Sequence, residues 1–296
     1  MPQLTWLVTG CSSGIGKSLA STLIARGERV VATSRNVKDV IHLQSDSVLP
    51  LELDITSSPE TVKNVVDEAI NTFGGIDVLV NNAGYLHGAF IEEAGVNDYI
   101  ENFKVNVCGT MNVTRAILPH FRSKSSGTVV FIGSRCGWEG DMGAAPYNAT
   151  KYALEGIFDT FQIETASFGV RSMIVQPGYF RTDLFSTARL VFSRTHPNET
   201  YDDIQMGLLN ELAKMHGHQP GDPDRAAHRI VDVVKSEGMA AGKSFPKRLP
   251  LGEDAVRAMR VKCEETLKIC EEWDEVSKST TFEGGWDQEL GLLGKE

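Results

Sequence analysis

"TGCSSGIG" (residues 9–16) follows directly on the apolar run "LTWLV" (4–8) and opens the helical stretch "GKSLASTLIARG" (16–27). A strand, a glycine-rich turn and a helix in that order leave backbone N–H groups at a helix N-terminus, where an anion is favoured. In this reading Gly10 permits the tight turn, Gly14 lets a phosphate approach the backbone, and Gly16 lets the helix pack on the strand. Ser12 and Ser13 add hydroxyl donors, and Ile15 sits between the last two glycines. The spacing is G-x-x-x-G-x-G rather than the commoner G-x-G-x-x-G.

Working outward, strand-like runs recur at 28–33, 48–54, 76–82, 127–134 and 170–178, with helical stretches between them. One of these, "SPETVKNVVDEAINTFGG" (58–75), has Ser58 as N-cap, Pro59 at the first helical position and glycines at its end. Alternation at this spacing implies βαβ units and a parallel sheet. It weakens after about residue 183, where "STARLVFSRTHPNETYDD" (186–203) mixes apolar and polar residues, and the stretch 276–296 has no clear period.

Composition bounds the function. The 296 residues are 41% hydrophobic and 23% charged, with a net charge of −10 and no Lys/Arg run longer than a pair. That argues against nucleic-acid binding and a basic membrane patch. No segment approaches the roughly 20 apolar residues of a membrane span, and the N-terminus lacks the pattern of a secretory signal. Five cysteines (Cys11, Cys108, Cys136, Cys263, Cys270) form no CxxC pair, which fits a reducing, cytoplasmic compartment. His216 and His218 in "MHGHQ" have no partner at metal-ligand spacing, so no metal site is expected.

Three more segments carry chemistry. "NNAG" (81–84) follows the strand "IDVLV", "YNATK" (147–151) opens a long helical segment, and "VQPGYFRTD" (175–183) follows another strand. With the glycine turn, these motifs resemble the short-chain dehydrogenase/reductase family. The intervals agree: Asn106 to Ser134 spans 28 positions, Ser134 to Tyr147 spans 13, and Tyr147 to Lys151 spans 4. "ALEG" (153–156), "RAILPHFR" (115–122) and "RLPLGEDA" (248–255) resemble the branch that includes 17β-hydroxysteroid and retinol dehydrogenases. The resemblance is close over about residues 4–185. It implies one doubly wound Rossmann-type α/β domain over 1–275, with a mainly parallel sheet flanked by helices. A substrate-lid segment at 183–225 lies within it, and 276–296 form a C-terminal tail.

The residues also speak for themselves. Reduction of a carbonyl leaves an alkoxide that needs a proton, and a tyrosine supplies it if its pKa of about 10 is lowered. Lys151 lies one helical turn from Tyr147, where its ammonium favours the phenolate. Ser134 ends the strand "TVVFIG", and strand C-terminal ends face the ligand crevice of such sheets. The resemblance implies that Ser134 bonds the substrate oxygen, that Asn106 holds a relay water, and that Lys151 also binds the nicotinamide ribose.

After the second strand stand Ser34 and Arg35, where an NAD-preferring site would carry Asp or Glu. A guanidinium there pairs with a 2′-phosphate, which points to NADP(H). By resemblance, Asp54 and Ile55 lie near the adenine, and Asn82, Ala83 and Gly84 line the adenine-ribose side. Pro177, Gly178, Phe180 and Thr182 flank the nicotinamide carboxamide. Arg135 and Cys136 either line the substrate pocket or, for Arg135, face solvent. Glu139 and Asp141 either charge the pocket mouth or belong to a surface loop. The expected activity is reversible reduction of a bulky hydrophobic ketone or aldehyde. A non-redox isomerase or cyclase on the same fold, or a nicotinamide-binding regulator without turnover, are the alternatives. The resemblance implies that segments 99–122 and 147–168 pair between subunits, in a homodimer or homotetramer.

Overall fold

In a computed structural model, residues 2–186 and 190–282 are described. Seven strands form one sheet: β1 (Thr5–Val8), β2 (Arg29–Ser34), β3 (Val48–Glu52), β4 (Val78–Asn81), β6 (Gly127–Ile132), β7 (Val170–Pro177) and β9 (Arg248–Leu251). Their order is β3-β2-β1-β4-β6-β7-β9, and every pairing is parallel. The expected parallel sheet is present, and β9 is a strand that periodicity missed. Its "RLPL" is short, contains a proline and lies at the sheet edge, where a missing N–H is tolerated.

Side chains alternate between two cores. Trp6, Val30, Val78, Val130 and Met173 face one helical layer, whereas Leu7, Val31, Leu79, Val129 and Ile174 face the other. Period-two alternation in which both faces are apolar requires helices on both sides. They are α1 (Gly14–Ala25) and α7 (Pro223–Lys235) on the first face, and α2 (Pro59–Phe73), α4 (Thr110–Lys124) and α5 (Ala145–Thr165) on the second. Ser58 does cap α2, accepting from Thr61 N at 3.1 Å.

The expected helix over 99–122 is two helices, α3 (Val96–Phe103) and α4, joined by a π-helical turn over Lys104–Gly109. That extra residue per turn puts Asn106 inward. Beyond β7 the chain forms a strap. The two-residue strand β8 (Val191–Phe192) pairs in parallel with β5 (His87–Gly88), and α6 (Asp202–Met215) follows. The strap is tied down by Glu93, which is fully buried and accepts from Arg194 Nη2 at 2.6 Å and from Asn198 N at 3.0 Å. After β9 come α8 (Glu253–Glu272) and the short α9 (Asp274–Lys278). Of the expected lid and tail, 187–189 and 283–296 lie outside the described residues. No described helix is long and apolar enough to cross a membrane.

Candidate active site

The strand order reverses between β1 and β4, and ligands of such sheets bind at the carboxyl ends of strands around that point. The glycine turn lies there. Gly10 and Gly14 have φ of +74° and +55°, a region that disfavours side chains. A Cβ on Gly16 would lie 2.3 Å from both Gly10 O and Asn82 Nδ2, so only glycine lets α1 approach the turn so closely. Thr9 is the turn's fastener. Its hydroxyl accepts from Asn82 N at 2.9 Å and Ala83 N at 3.0 Å, while Asn82 Nδ2 donates to Thr9 O at 2.8 Å.

Asn82 and Ala83 thus hold the turn's shape from behind. Ser13 caps α1 without a side-chain hydrogen bond, and the first turn of α1 carries no acidic residue, so the N-terminal amides suit a phosphate. Ser12 and Ile15 are half-buried beside it. The turn is a cradle that fits a dinucleotide.

At the end of β2, Ser34 is buried and donates to Asp39 Oδ2 at 3.4 Å, while Arg35 is exposed. Partial burial pulls the Asp54 carboxyl up. Bonds from the Thr56 amide and hydroxyl, with the charges of Arg35 and Lys104, outweigh it and hold Asp54 below its ordinary value. Ile55 turns into the core instead, against Gly109.

Four chemical side chains converge under the β4 and β6 ends. Tyr147 and Lys151 lie on α5, and Ser134 lies just past β6; all three are buried. Lys151 Nζ lies 5.5 Å from the Tyr147 ring centroid and donates to Ile132 O at 2.9 Å. Ser134 Oγ accepts from Cys136 N at 3.1 Å, which leaves its O–H free to donate. Asn106 is braced rather than open. Its amide nitrogen donates to Tyr85 O at 3.0 Å and Thr150 Oγ1 at 3.1 Å, and its oxygen accepts from Tyr85 N at 3.0 Å. A Cβ on Gly84 would crowd that oxygen at 2.9 Å.

The electrostatics differ from the simple Tyr–Lys expectation. Burial pushes the Tyr147 phenol well above its usual value, with Cys136 and Asp141 adding to the rise and Ser134 and Arg135 pulling the other way. Burial also lowers Lys151 from 10.5 to about 8. Desolvation by burial is the largest cause of both shifts, and each moves its group toward the neutral form.

Spacing left the fate of Arg135 open. It is buried, with Nη2 donating to Asp141 at 2.6 Å and to Tyr179 Oη, and its guanidinium stacks 4.4 Å over the Tyr179 ring. Asp254, at the start of α8, accepts from Tyr179 N at 2.7 Å and occupies the space a Cβ on Gly178 would need. Sequence reasoning missed Thr9, Tyr179 and Asp254. The motif "RLPLGEDA" held Asp254 in view, but an acidic first turn reads as helix capping.

The "PGYFRTD" residues divide. Pro177 ends β7 opposite Leu251, and Thr182 sits beside Gly14 at the glycine turn. Phe180 packs instead toward Gly221 and Gly252. Tyr147 belongs to a small apolar cluster with Leu86, Cys136 and Phe185, and Leu184, Leu190 and Leu212 pack against it. Ile204 and Met206 face outward. Among the described residues no group of three or more His, Cys, Asp or Glu side chains is placed to hold a metal ion.

A switch-point cradle for a dinucleotide beside a buried Ser–Tyr–Lys cluster defines a nicotinamide-dependent oxidoreductase of the doubly wound class. A family model described as "short chain dehydrogenase" matches residues 5–190. The crystal structure of a short-chain dehydrogenase from Streptomyces avermitilis superposes with a TM-score of 0.83 at 34% identity, covering 95% of this chain and 100% of that one. An "NADP-dependent 3-hydroxy acid dehydrogenase" from Schizosaccharomyces pombe is 35% identical over 71% of this chain and 84% of its own length. A "3-ketodihydrosphingosine reductase" from Bacteroides thetaiotaomicron is 35% identical over 72% and 77%. The chain belongs to the short-chain dehydrogenase family and is an NAD(P)(H)-dependent oxidoreductase.

Proposed function

We propose that the protein is an NADPH-dependent carbonyl reductase for a fairly bulky hydrophobic ketone or aldehyde, of the 17β-hydroxysteroid/retinol dehydrogenase-like branch. The observation that carries this reading is a buried Tyr147, with Lys151 Nζ 5.5 Å from its ring, packed in one apolar cluster with Leu86, Cys136 and Phe185. The glycine turn, with Thr9, Asn82 and Ala83 behind it, would hold NADPH, which would supply the hydride for the carbonyl carbon. Ser134 donates its free O–H to the carbonyl oxygen, and Tyr147 passes its phenolic proton to that oxygen as the alkoxide forms. Lys151, with Nζ 5.5 Å from the Tyr147 ring, returns a proton to the resulting phenolate and is left as the neutral amine, a transfer that its lowered pKa favours. Asn106 serves the proton relay through its place in the π-turn, since its amide is taken by Tyr85 and Thr150.

The preference for NADPH rests on exposed Arg35 where a carboxylate would repel the 2′-phosphate. The Schizosaccharomyces pombe relative, NADP-dependent by name, supports it. A bulky apolar substrate follows from the strap's packing over Tyr147, with residues 183–225 acting as its lid. The Bacteroides relative, a reductase of 3-ketodihydrosphingosine by name, supports that too. The outer faces of segments 99–122 and 147–168, on which Ile100, Tyr152 and Ile163 are exposed, carry a homodimer or homotetramer contact in a cytoplasmic enzyme. The test is NADPH consumption against a panel of ketones graded by size, repeated with NADH. Activity confined to small polar carbonyls, or equal use of NADH, overturns the corresponding half of the reading.

A further inference from the structure

Two short motifs far apart in the sequence meet one helical turn from Lys151. Glu155 belongs to "ALEG" (153–156), and Arg248 opens "RLPLGEDA" (248–255). Tyr147, Lys151 and Glu155 stand at i, i+4 and i+8 on α5, within roughly 80° of the helix circumference, and all three are buried. Both carboxylate oxygens of Glu155 are bonded to the sheet. Oε1 accepts from Gln176 Nε2 on β7 at 2.9 Å, and Oε2 accepts from Arg248 Nε on β9 at 2.9 Å. Arg248 also donates through Nη2 to Asp159 Oδ1 at 2.7 Å, at the exposed end of the network. A Cβ on Gly137 would lie 3.1 Å from both Glu155 Cγ and Lys151 O, so the segment that carries Ser134 and Cys136 rests directly on the Lys151–Glu155 turn.

A buried ion pair is a poor device for stability alone. Desolvation of the two charges offsets most of their attraction, and apolar residues of like volume often serve as well. Its place beside Lys151 gives this pair another use. Burial draws Lys151 toward the neutral amine, and Cys136 and Glu155 oppose it. Burial also pushes the Cys136 thiol up to about 12, so near neutral pH the anion facing Lys151 is Glu155 in its pair with Arg248. Lys151 Nζ itself donates to Ile132 O, and the ring beside it is that of Tyr147. Asp141 and Arg135, from the loop after β6, bear on Tyr147.

We propose that Glu155, fixed by Arg248 and Gln176, is a positioning residue that keeps a proton on the Lys151 amine until Tyr147 needs it. The proposal rests on the reading above, in which Lys151 returns a proton to the Tyr147 phenolate. The network is a balance with two arms. Glu155 favours the ammonium, and Arg248 tempers Glu155. Removing one arm or the other therefore tips Lys151 in opposite directions.

Titration of Lys151 in the full chain tests it, with lysine side chains isotope-labelled at Cε and followed by NMR. The Lys151 signal is the one missing from Lys151→Met. Glu155→Gln should move the Lys151 midpoint down by about one pH unit, and Arg248→Met should move it up by a smaller amount. Asp159→Asn should leave it in place. The alkaline limb of NADPH oxidation with a bulky ketone should follow the same two directions. Arg248→Met keeps the volume and the Glu155–Gln176 bond, so it reads the upward arm alone should Glu155→Gln fail to fold. A midpoint that neither variant moves, or that both move the same way, makes the network a structural tie and overturns the proposal. Opposite midpoint shifts with a fixed alkaline limb support the role of Glu155 and overturn instead the reading of Lys151 as a proton carrier.

Discussion

The half of the chain up to Pro177 and the half beyond it solve different problems. In the first, strands point alternate residues into two cores, and nearly every strand residue is buried. In the second, β8 is two residues long, α6 buries none of its residues, and α8 runs off the body. The first half needs rigidity, because a dinucleotide cradle and a proton donor must be held in place. On the proposed reading the second half shapes what enters beside Tyr147; α7 and β9 join the main core, whereas the strap and the start of α8 rest on polar ties, Arg194 on Glu93 and Tyr179 N on Asp254, together with Phe192.

If that division holds, substitutions in the two halves should fail differently. The largest effect should come from the first half. Tyr147→Phe removes the acid and keeps the ring, so turnover should fall at least about 10²-fold, the scale of general acid catalysis. NADPH affinity, followed by cofactor fluorescence, should persist. Arg35→Asp should come next. Replacing a charged hydrogen bond worth about 1.5–3 kcal/mol with a repelling carboxylate should lower NADPH affinity about 10- to 100-fold. NADH affinity should change little, and equal losses for both cofactors would remove Arg35 from phosphate recognition.

The second half should answer in KM. Phe185→Ala, beside Tyr147, should raise KM several-fold for a polycyclic ketone and leave a small ketone nearly untouched. Phe192, packed against Gly88 and near Phe90, is a strap anchor, so Phe192→Ala should cost thermal stability as well. Phe185→Ala that lowers only the melting temperature would make the segment a structural cover.

The smallest expected effect is on stability against pH. Burial depresses Lys151 from 10.5 to about 8, so between those values the folded chain binds fewer protons there than the unfolded one. Stability from this group therefore rises with pH across that window. The raised Tyr147 phenol acts oppositely, removing stability only as pH climbs past the ordinary tyrosine value near 10. Lys151→Met should abolish the rise between about pH 8 and 10 in denaturant titrations. A rise that survives would place Lys151 in water.

The two halves were also unequally legible. The glycine turn reads directly because its chemistry is local: positive φ, close approach and an uncapped helix end are all written in eight residues. Tyr147 and Lys151 read from their spacing, but the direction of their pKa shifts did not, because burial is a property of the assembled core. The π-turn around Asn106 escaped because one added residue hardly disturbs a helical period. Arg135 stayed open because its partners Asp141, Tyr179 and Asp254 come from three separate segments. The two-residue β5 and β8, and β9 with its internal proline, carry too little pattern to be seen.

The central claim is hydride transfer to a bulky carbonyl with Tyr147 as the proton donor. NADPH deuterated at the nicotinamide carbon that donates its hydride, mixed with a polycyclic or long-chain ketone, tests it most directly. Mass spectrometry of the product should find one deuterium on the carbinol carbon with the wild-type protein and almost no product with Tyr147→Phe. An isomerised product formed without deuterium, or undiminished alcohol from Tyr147→Phe, would contradict it.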